Sequence, residues 1–254
     1  MKQFIKNRKN QNIAVLIEKR KNSKGLVVIE HGNSGNKEQQ HIDVFADAFK
    51  NNNYDVLRFD ATNSFGESDG NNPDATLTSF YQDLEDVIFW AKKQDFYKEP
   101  FALCGHSLGG ISILLYAKNY PQEIKFLAPI SSVVSGELLM EKFCSQEELQ
   151  KWKEDGAREY LSGRGFIKRL KYGFVEDILN YNILDYVDKI IMPVLLIVGE
   201  NDPSTPVEHQ KLLFDKLPGE KELQIIKNAP HTFEEPNHLN EVYNILDKWI
   251  KKNN

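Results

Sequence analysis

Apolar positions along the chain fall into two alternating rhythms. Short apolar runs at 12–18, 25–30, 54–60, 101–105, 125–130, 191–198 and 222–227 are of strand length and predict β-strands. Between them, at 37–50, 75–93, 108–119, 207–216 and 238–252, the pattern predicts helices. In 75–93, for example, Leu77, Phe80, Leu84, Val87, Ile88 and Ala91 recur three and four apart on one face. Strand and helix taking turns in this way predict an α/β fold, with a mostly parallel sheet covered by helices on both faces.

One stretch breaks the rhythm. Residues 133–187 are rich in charge and in aromatics, among them Phe143, Trp152, Tyr160, Phe166 and Phe174, and they separate two core strands by far more chain than a connection needs. The stretch reads as mainly helical and is expected to be a lid over the strand ends, with 1–132 and 188–254 forming the core around it. Its aromatics are expected to build a small core of their own, with an apolar groove for substrate as the alternative.

Composition narrows the classes of partner. A formal net charge of −5 over 254 residues gives no broad electrostatic pull on nucleic acid or on an anionic membrane. Locally, Lys2, Lys6, Arg8, Lys9, Lys19, Arg20, Lys21 and Lys24 make the first 25 residues basic. These charges flank apolar residues, which suits a solvated hairpin at a sheet edge. Two cysteines, Cys104 in an apolar strand pattern and Cys144 in a charged helical one, read as reduced thiols of a cytoplasmic protein. The apolar runs Ile13–Ile17 and Val194–Val198 are too short for a secretory signal or a membrane span, so no stable membrane insertion is expected.

The chemistry begins at Gly105-His106-Ser107-Leu108-Gly109-Gly110, where a strand meets a helix. A nucleophile on such a sharp turn needs flanking residues without side-chain bulk, and Gly105 and Gly109 provide them. The helix opening at Leu108 points backbone N–H groups toward Ser107, where an oxyanion would form. Ser107 then needs a base held by a carboxylate.

Six histidines compete for that role. His106 is expected beneath the turn, His41 and His209 as surface or interface residues of helices, and His238 as a helix cap. His31 and His231 fall in loops after strands; His31 suits bonding to loop backbone, and His231 follows the last strand on the same side of the sheet as Ser107. For the acid, Asp202 emerges directly after the run 194–198, whereas Glu200 would face the opposite way and Asp60 suits a loop-fixing carboxylate. The order Ser107, Asp202, His231 is the one that accompanies such a nucleophile turn.

From about residue 12 to 252 the chain resembles the α/β-hydrolase superfamily of serine esterases. The matching motifs are His31-Gly32, Arg58-Phe59-Asp60 with Gly66-Glu67-Ser68-Asp69-Gly70, the segment Gly105 to Gly110, Gly199 to Pro206, and His231. Within the superfamily it is similar to small cinnamoyl (feruloyl) esterases with a helical insertion, and to serine aminopeptidase-type and monoacylglycerol-lipase-like hydrolases. The resemblance implies an α/β-hydrolase fold with a helical lid insertion and cleavage of small-molecule carboxylic esters, aromatic or short-acyl, through an acyl-enzyme. It implies a second oxyanion donor, the N–H of Asn33, beside that of Leu108. No metal or organic cofactor and no nucleic-acid partner are expected, and a homodimer stays open. Two departures stand out: Asn33 replaces a bulky apolar residue, and Asn228 stands where relatives often carry glycine. An amidase, aminopeptidase or thioester hydrolase on the same triad, and a non-catalytic binding protein on the scaffold, remain the competing readings.

Overall fold

Strands whose residues are apolar throughout can be buried on both faces, and the core of the sheet is built from them. The computed structural model describes residues 1–161 and 167–254; Phe166 lies outside the described residues. The strands are β1 (Lys2–Lys6), β2 (Asn12–Glu18), β3 (Gly25–Glu30), β4 (Tyr54–Phe59), β5 (Phe101–His106), β6 (Ile124–Ile130), β7 (Ala157–Leu161), β8 (Ile167–Lys171), β9 (Val194–Gly199) and β10 (Lys221–Ile226). Eight of them form one sheet in the order β1-β2-β4-β3-β5-β6-β9-β10. From β4 to β10 the neighbours run parallel, while β1–β2 and β2–β4 are antiparallel. All residues of β3, β4, β5 and β9 are buried, which is why β9 and most of β3 and β5 read as continuous apolar runs, while β4 buries Asp55 and Arg58 between its apolar residues.

The helices are α1 (Gln40–Asn51), α2 (Leu77–Ala91), α3 (Leu108–Asn119), α4 (Gly136–Phe143), α5 (Gln146–Asp155), α6 (Gly173–Ile178), α7 (Val207–Lys216) and α8 (Pro236–Lys252). One face of the sheet is covered by α1 and α8 through Ile42, Phe45, Phe49, Val242, Leu246 and Trp249. The other carries α2, α3 and α7, with Phe80, Leu84, Ile111, Leu114 and Leu213 in its core. This is the α/β-hydrolase fold with helices on both faces.

Boundaries move where side chains intervene. The apolar period extends α1 back to residue 37, but the helix starts at Gln40, because the Lys37 N–H donates to Asp60 Oδ1 at 2.7 Å and the chain is still turning. Helix α2 starts at Leu77 because Thr76 caps it, accepting from the Ser79 N–H while Ser79 Oγ accepts from the Thr76 N–H. Strand β1, short and charged at both ends, has too little pattern to predict; it pairs with β2 as an edge hairpin. The basic residues there are drawn into ion pairs: Lys2 with Glu67 at 2.6 Å, Arg8 with Asp86 at 2.9 Å and Lys19 with Asp95 at 2.7 Å.

Between β6 and β9 the chain forms α4, α5 and α6 together with an antiparallel hairpin, β7–β8, which the mainly helical reading missed. Gly156, at φ 71°, ends α5 in the left-handed region and turns the chain into β7. The hairpin escapes the pattern because exposed charges occupy its outer face, and its pairing and its contact with α5 come from residues distant in the chain. Trp152 of α5 is buried and its Nε1–H donates to the Leu170 carbonyl at 3.0 Å. Phe143 packs edge-on to Tyr160 at 5.1 Å, so the aromatics do form a small core inside the insertion. Asp177 and Tyr181 tie the unit to α2 by bonding the Thr78 hydroxyl. Among the described residues, no helix is long and apolar enough to cross a membrane.

Glu30 closes β3 with no exposed surface, and neither carboxyl oxygen receives a well-formed hydrogen bond among the described residues. Burial, with the negative charge of Asp83 behind it, pushes its pKa well above the usual carboxylate value; the Ser112 hydroxyl opposes this only in part. A raised folded-state pKa means that the Glu30 proton stabilises the fold fully below the unfolded value, and that this contribution is lost as pH rises through the folded value. Melting temperatures of Glu30→Gln relative to the parent should therefore improve as pH rises above the ordinary carboxylate value of about 4 into the alkaline range. A difference that stays constant across that range would show that Glu30 ionises normally.

Candidate active site

Three loops at the carboxyl ends of parallel strands bring Ser107, Asp202 and His231 together. Ser107 follows β5 with φ 56° and ψ −111°, a left-handed conformation that an L-residue adopts only when its surroundings enforce it. Its N–H donates to the Ile130 carbonyl at 3.0 Å. A Cβ on Gly105 would lie 2.3 Å from the Gly109 oxygen, and one on Gly109 would lie 2.6 Å from the carbonyl oxygens of both Glu30 and His31. The turn that exposes the serine therefore exists only because β3, β5 and α3 touch backbone to backbone.

The base is His231, in the loop after β10. Its Nδ1–H donates to Asp202 Oδ2 at 2.8 Å, which leaves Nε2 to accept from the Ser107 hydroxyl at 3.0 Å. Asp202 follows β9 and is 3% exposed. Its other oxygen accepts from the N–H groups of Ser204 and Thr205, both at 2.9 Å. The Thr205 hydroxyl lies 2.9 Å from Asp202 Oδ2 and 2.9 Å from the Ser131 carbonyl, and its single proton serves one of them at a time. Burial works against the charge on Asp202, but the His231 imidazole and the Thr205 N–H outweigh it and hold the carboxyl well below the ordinary range. The signal of Thr205 in the sequence is its place three residues after the acid, where a turn returns its N–H to the carboxylate.

The other histidines occupy structural positions. His31 is fully buried, its Nδ1–H donating to the Gly32 carbonyl at 2.7 Å and its Nε2 accepting from the Ala61 N–H at 3.1 Å, as a loop-fixing role requires. His106 lies under the turn and donates from Nε2 to the His231 carbonyl at 2.9 Å. Burial, then the neighbouring His231, depress its pKa to about 3, so it stays neutral beside the base. His41 and His209, expected as surface or interface residues, are 1% and 6% exposed and sit at packed interfaces, because the helical faces that carry them turn inward. His41 packs on His106 with ring centroids 4.5 Å apart. His238 does not cap α8, whose N-cap is Glu235; it sits buried in the first turn. Glu200, the competitor for the acid, accepts instead from the Asn228 N–H at 2.9 Å. Asn228 has φ 57°, which explains why this position suits glycine and why asparagine can replace it.

Gly32 and Asn33 lie directly beside the serine: a Cβ on Gly32 would be 3.0 Å from that of Ser107. Among the described residues, no hydrogen bond engages the N–H of Asn33 or of Leu108. A cavity of about 860 Å³ opens above Ser107. Asn33, Ser34 and Asn36 line one part of it and Val133, Leu139, Phe143, Tyr160, Leu170 and Phe174 another. Among the described residues, no group of three His, Cys, Asp or Glu side chains is placed to hold a metal ion.

Comparison with known proteins agrees with this architecture. The family model described as serine aminopeptidase, S33, matches residues 21–162, and that of the PhoPQ-activated pathogenicity-related proteins matches residues 147–254. An Escherichia coli protein, described as an uncharacterized 31.7 kDa protein in the traX-finO intergenic region, is 24% identical over 261 residues, covering 89% of this chain and 90% of its own. Among solved structures, Est1E from Butyrivibrio proteoclasticus with ferulic acid bound has a TM-score of 0.82 at 24% identity, covering 99% of this chain and 98% of its own. The alpha/beta hydrolase domain-containing protein 10 from mouse has a TM-score of 0.83 at 20% identity, covering 99% of both chains. These likenesses carry the fold, while the first family model spans more than half of the sequence. The chain thus belongs to the serine aminopeptidase S33 family within the α/β-hydrolase superfamily.

Proposed function

We propose that this protein is a serine hydrolase that cleaves carboxylic esters of small molecules through an acyl-enzyme. The observation that carries the reading is the unbroken hydrogen-bonded line from Ser107 Oγ through both nitrogens of His231 to the buried carboxylate of Asp202. In this reading Ser107 attacks the ester carbonyl as Nε2 of His231 takes its proton, and Asp202 stabilises the imidazolium. The N–H groups of Asn33 and Leu108 hold the oxyanion; their lack of protein acceptors among the described residues supports that role. The proton on Nε2 then passes to the alcohol oxygen as the ester C–O bond breaks. Water, deprotonated by the same nitrogen, releases the acid and restores the serine.

Residues 133–187 act as the lid, and the apolar side chains it contributes to the cavity suit an aromatic or short acyl group. The protein works in the cytoplasm, as monomer or homodimer. Aminoacyl amides are the second reading, favoured by the family's name. A free amino group needs a carboxylate in the cavity, and among the described lining residues there is one, Glu234, which already accepts from the Thr232 hydroxyl at 2.8 Å. That single, engaged acid favours esters.

Ser107→Ala is expected to lower hydrolysis of p-nitrophenyl butyrate by at least about 10 000-fold and to abolish labelling by a fluorophosphonate. Parent-like turnover in that variant would end the proposal, and failure of the parent to label would favour a binding protein on this scaffold. Asp202→Asn should lose about 10 000-fold in kcat with a far smaller change in KM, because the carboxylate sets the tautomer and does not meet substrate. A panel of methyl ferulate, short p-nitrophenyl esters, a monoacylglycerol, an acyl-CoA and an aminoacyl amide should show ester turnover leading. Faster cleavage of the amide would replace the ester reading with the peptidase one.

A further inference from the structure

Among the described residues Lys37 is the only buried lysine, 1% exposed, and it lies four residues after the oxyanion donor assigned above. The loop that presents Asn33 belongs to no helix or strand. Ser34 sits in the left-handed region at φ 55°, its hydroxyl donating to Asn72 Oδ1 at 3.1 Å, and the Gly35 N–H donates to the Gly32 carbonyl at 3.1 Å. Something must fix where this loop points its amides.

Lys37 is engaged at every polar atom. Its N–H donates to Asp60 Oδ1 at 2.7 Å, its Nζ to Asp60 Oδ2 at 2.8 Å and to Glu67 Oε2 at 2.6 Å, and its carbonyl accepts from Arg58 Nη1 at 3.0 Å. Asp60 also accepts from the Glu67 N–H at 2.8 Å, and the Phe65 N–H donates to the Gly35 carbonyl at 3.1 Å. Gly66 lets that second loop close: a Cβ there would collide with the Asp60 carboxylate at 2.1 Å. The loops 32–37 and 60–67 are thereby one hydrogen-bonded unit with Lys37 at its centre. Burial works against the ammonium charge, but the bonds from Asp60 and Glu67 outweigh it and keep the lysine protonated. A buried ion pair seldom stabilises a fold more than apolar side chains of the same volume would, so stability alone gives little reason for a lysine here. What the pair supplies, and an apolar contact does not, is direction.

We propose that Lys37, clamped by Asp60 and Glu67, is a positioning residue that aims the Asn33 N–H at the oxyanion of the reaction. The proposal rests on the reading of Ser107 as nucleophile and Asn33 as oxyanion donor. Its signature is a loss confined to the transition state. In Lys37→Met, kcat on p-nitrophenyl butyrate should fall by about 10- to 100-fold, bounded by the loss of one oxyanion donor, while KM stays within about twofold. Affinity for a trifluoromethyl ketone, whose hemiketal oxygen mimics the oxyanion, should fall in parallel with kcat. Glu67→Gln leaves the lysine in place and should show a smaller loss of the same kind, about two- to fivefold; it carries the test if Lys37→Met does not fold. Parent kcat in a folded Lys37→Met, parent kcat in Glu67→Gln where Lys37→Met does not fold, or a loss in KM with unchanged inhibitor affinity would overturn the proposal. Ser107→Ala in the same assay separates the two claims. If it is inactive while the Lys37 variant behaves as the parent, only the positioning role falls; if it is active, the underlying reading falls as well.

Discussion

The site depends on how closely three backbones approach one another beneath Ser107. The carboxyl end of β3, the turn after β5 and the first residues of α3 meet with no side chain between them, because Gly105 and Gly109 have none. That contact holds Ser107 in a left-handed conformation, projects its hydroxyl beyond the sheet edge and points the open end of α3 at the same spot. A methyl group at either glycine would meet a carbonyl oxygen, so the geometry admits no gradual relaxation.

Around that constraint the charges are arranged by burial. Asp202 is kept ionised inside the protein by a set of donors, His231, Ser204 and Thr205, which replace the water it has lost. His106, packed 4.7 Å from His231 ring to ring, is kept neutral by the same burial, so it can hold the loop of the base through a carbonyl without adding a competing positive charge. A charge appearing on His231 during reaction would find one carboxylate prepared for it.

The insertion between β6 and β9 solves a separate problem. Its aromatics bury one another, Phe143 on Tyr160 and Trp152 on Tyr172, so that the unit holds its shape, and the same unit presents Val133, Leu139 and Phe174 to the cavity. Own core and groove wall, which the sequence offers as alternatives, are met together: Phe143 and Tyr160 pack on each other and line the cavity as well.

The sequence alone determined the alternation of strands and helices, the bounds of β2, β3, α3 and α7, and the three residues of the triad, because each is written in local pattern: apolar runs, periodic faces, and glycines flanking a serine. Tertiary structure decided everything that needs a partner distant in the chain. Strands β7 and β8 are ordered by pairing with each other and by packing on α5, α1 is shortened by a carboxylate 23 residues from Lys37, and whether His41 and His209 face solvent or a packed interface is settled only by the elements that cover them. His106 and Lys37 bond atoms that come from other loops, and no spacing in a sequence records the direction in which a side chain meets a partner that the fold alone brings near.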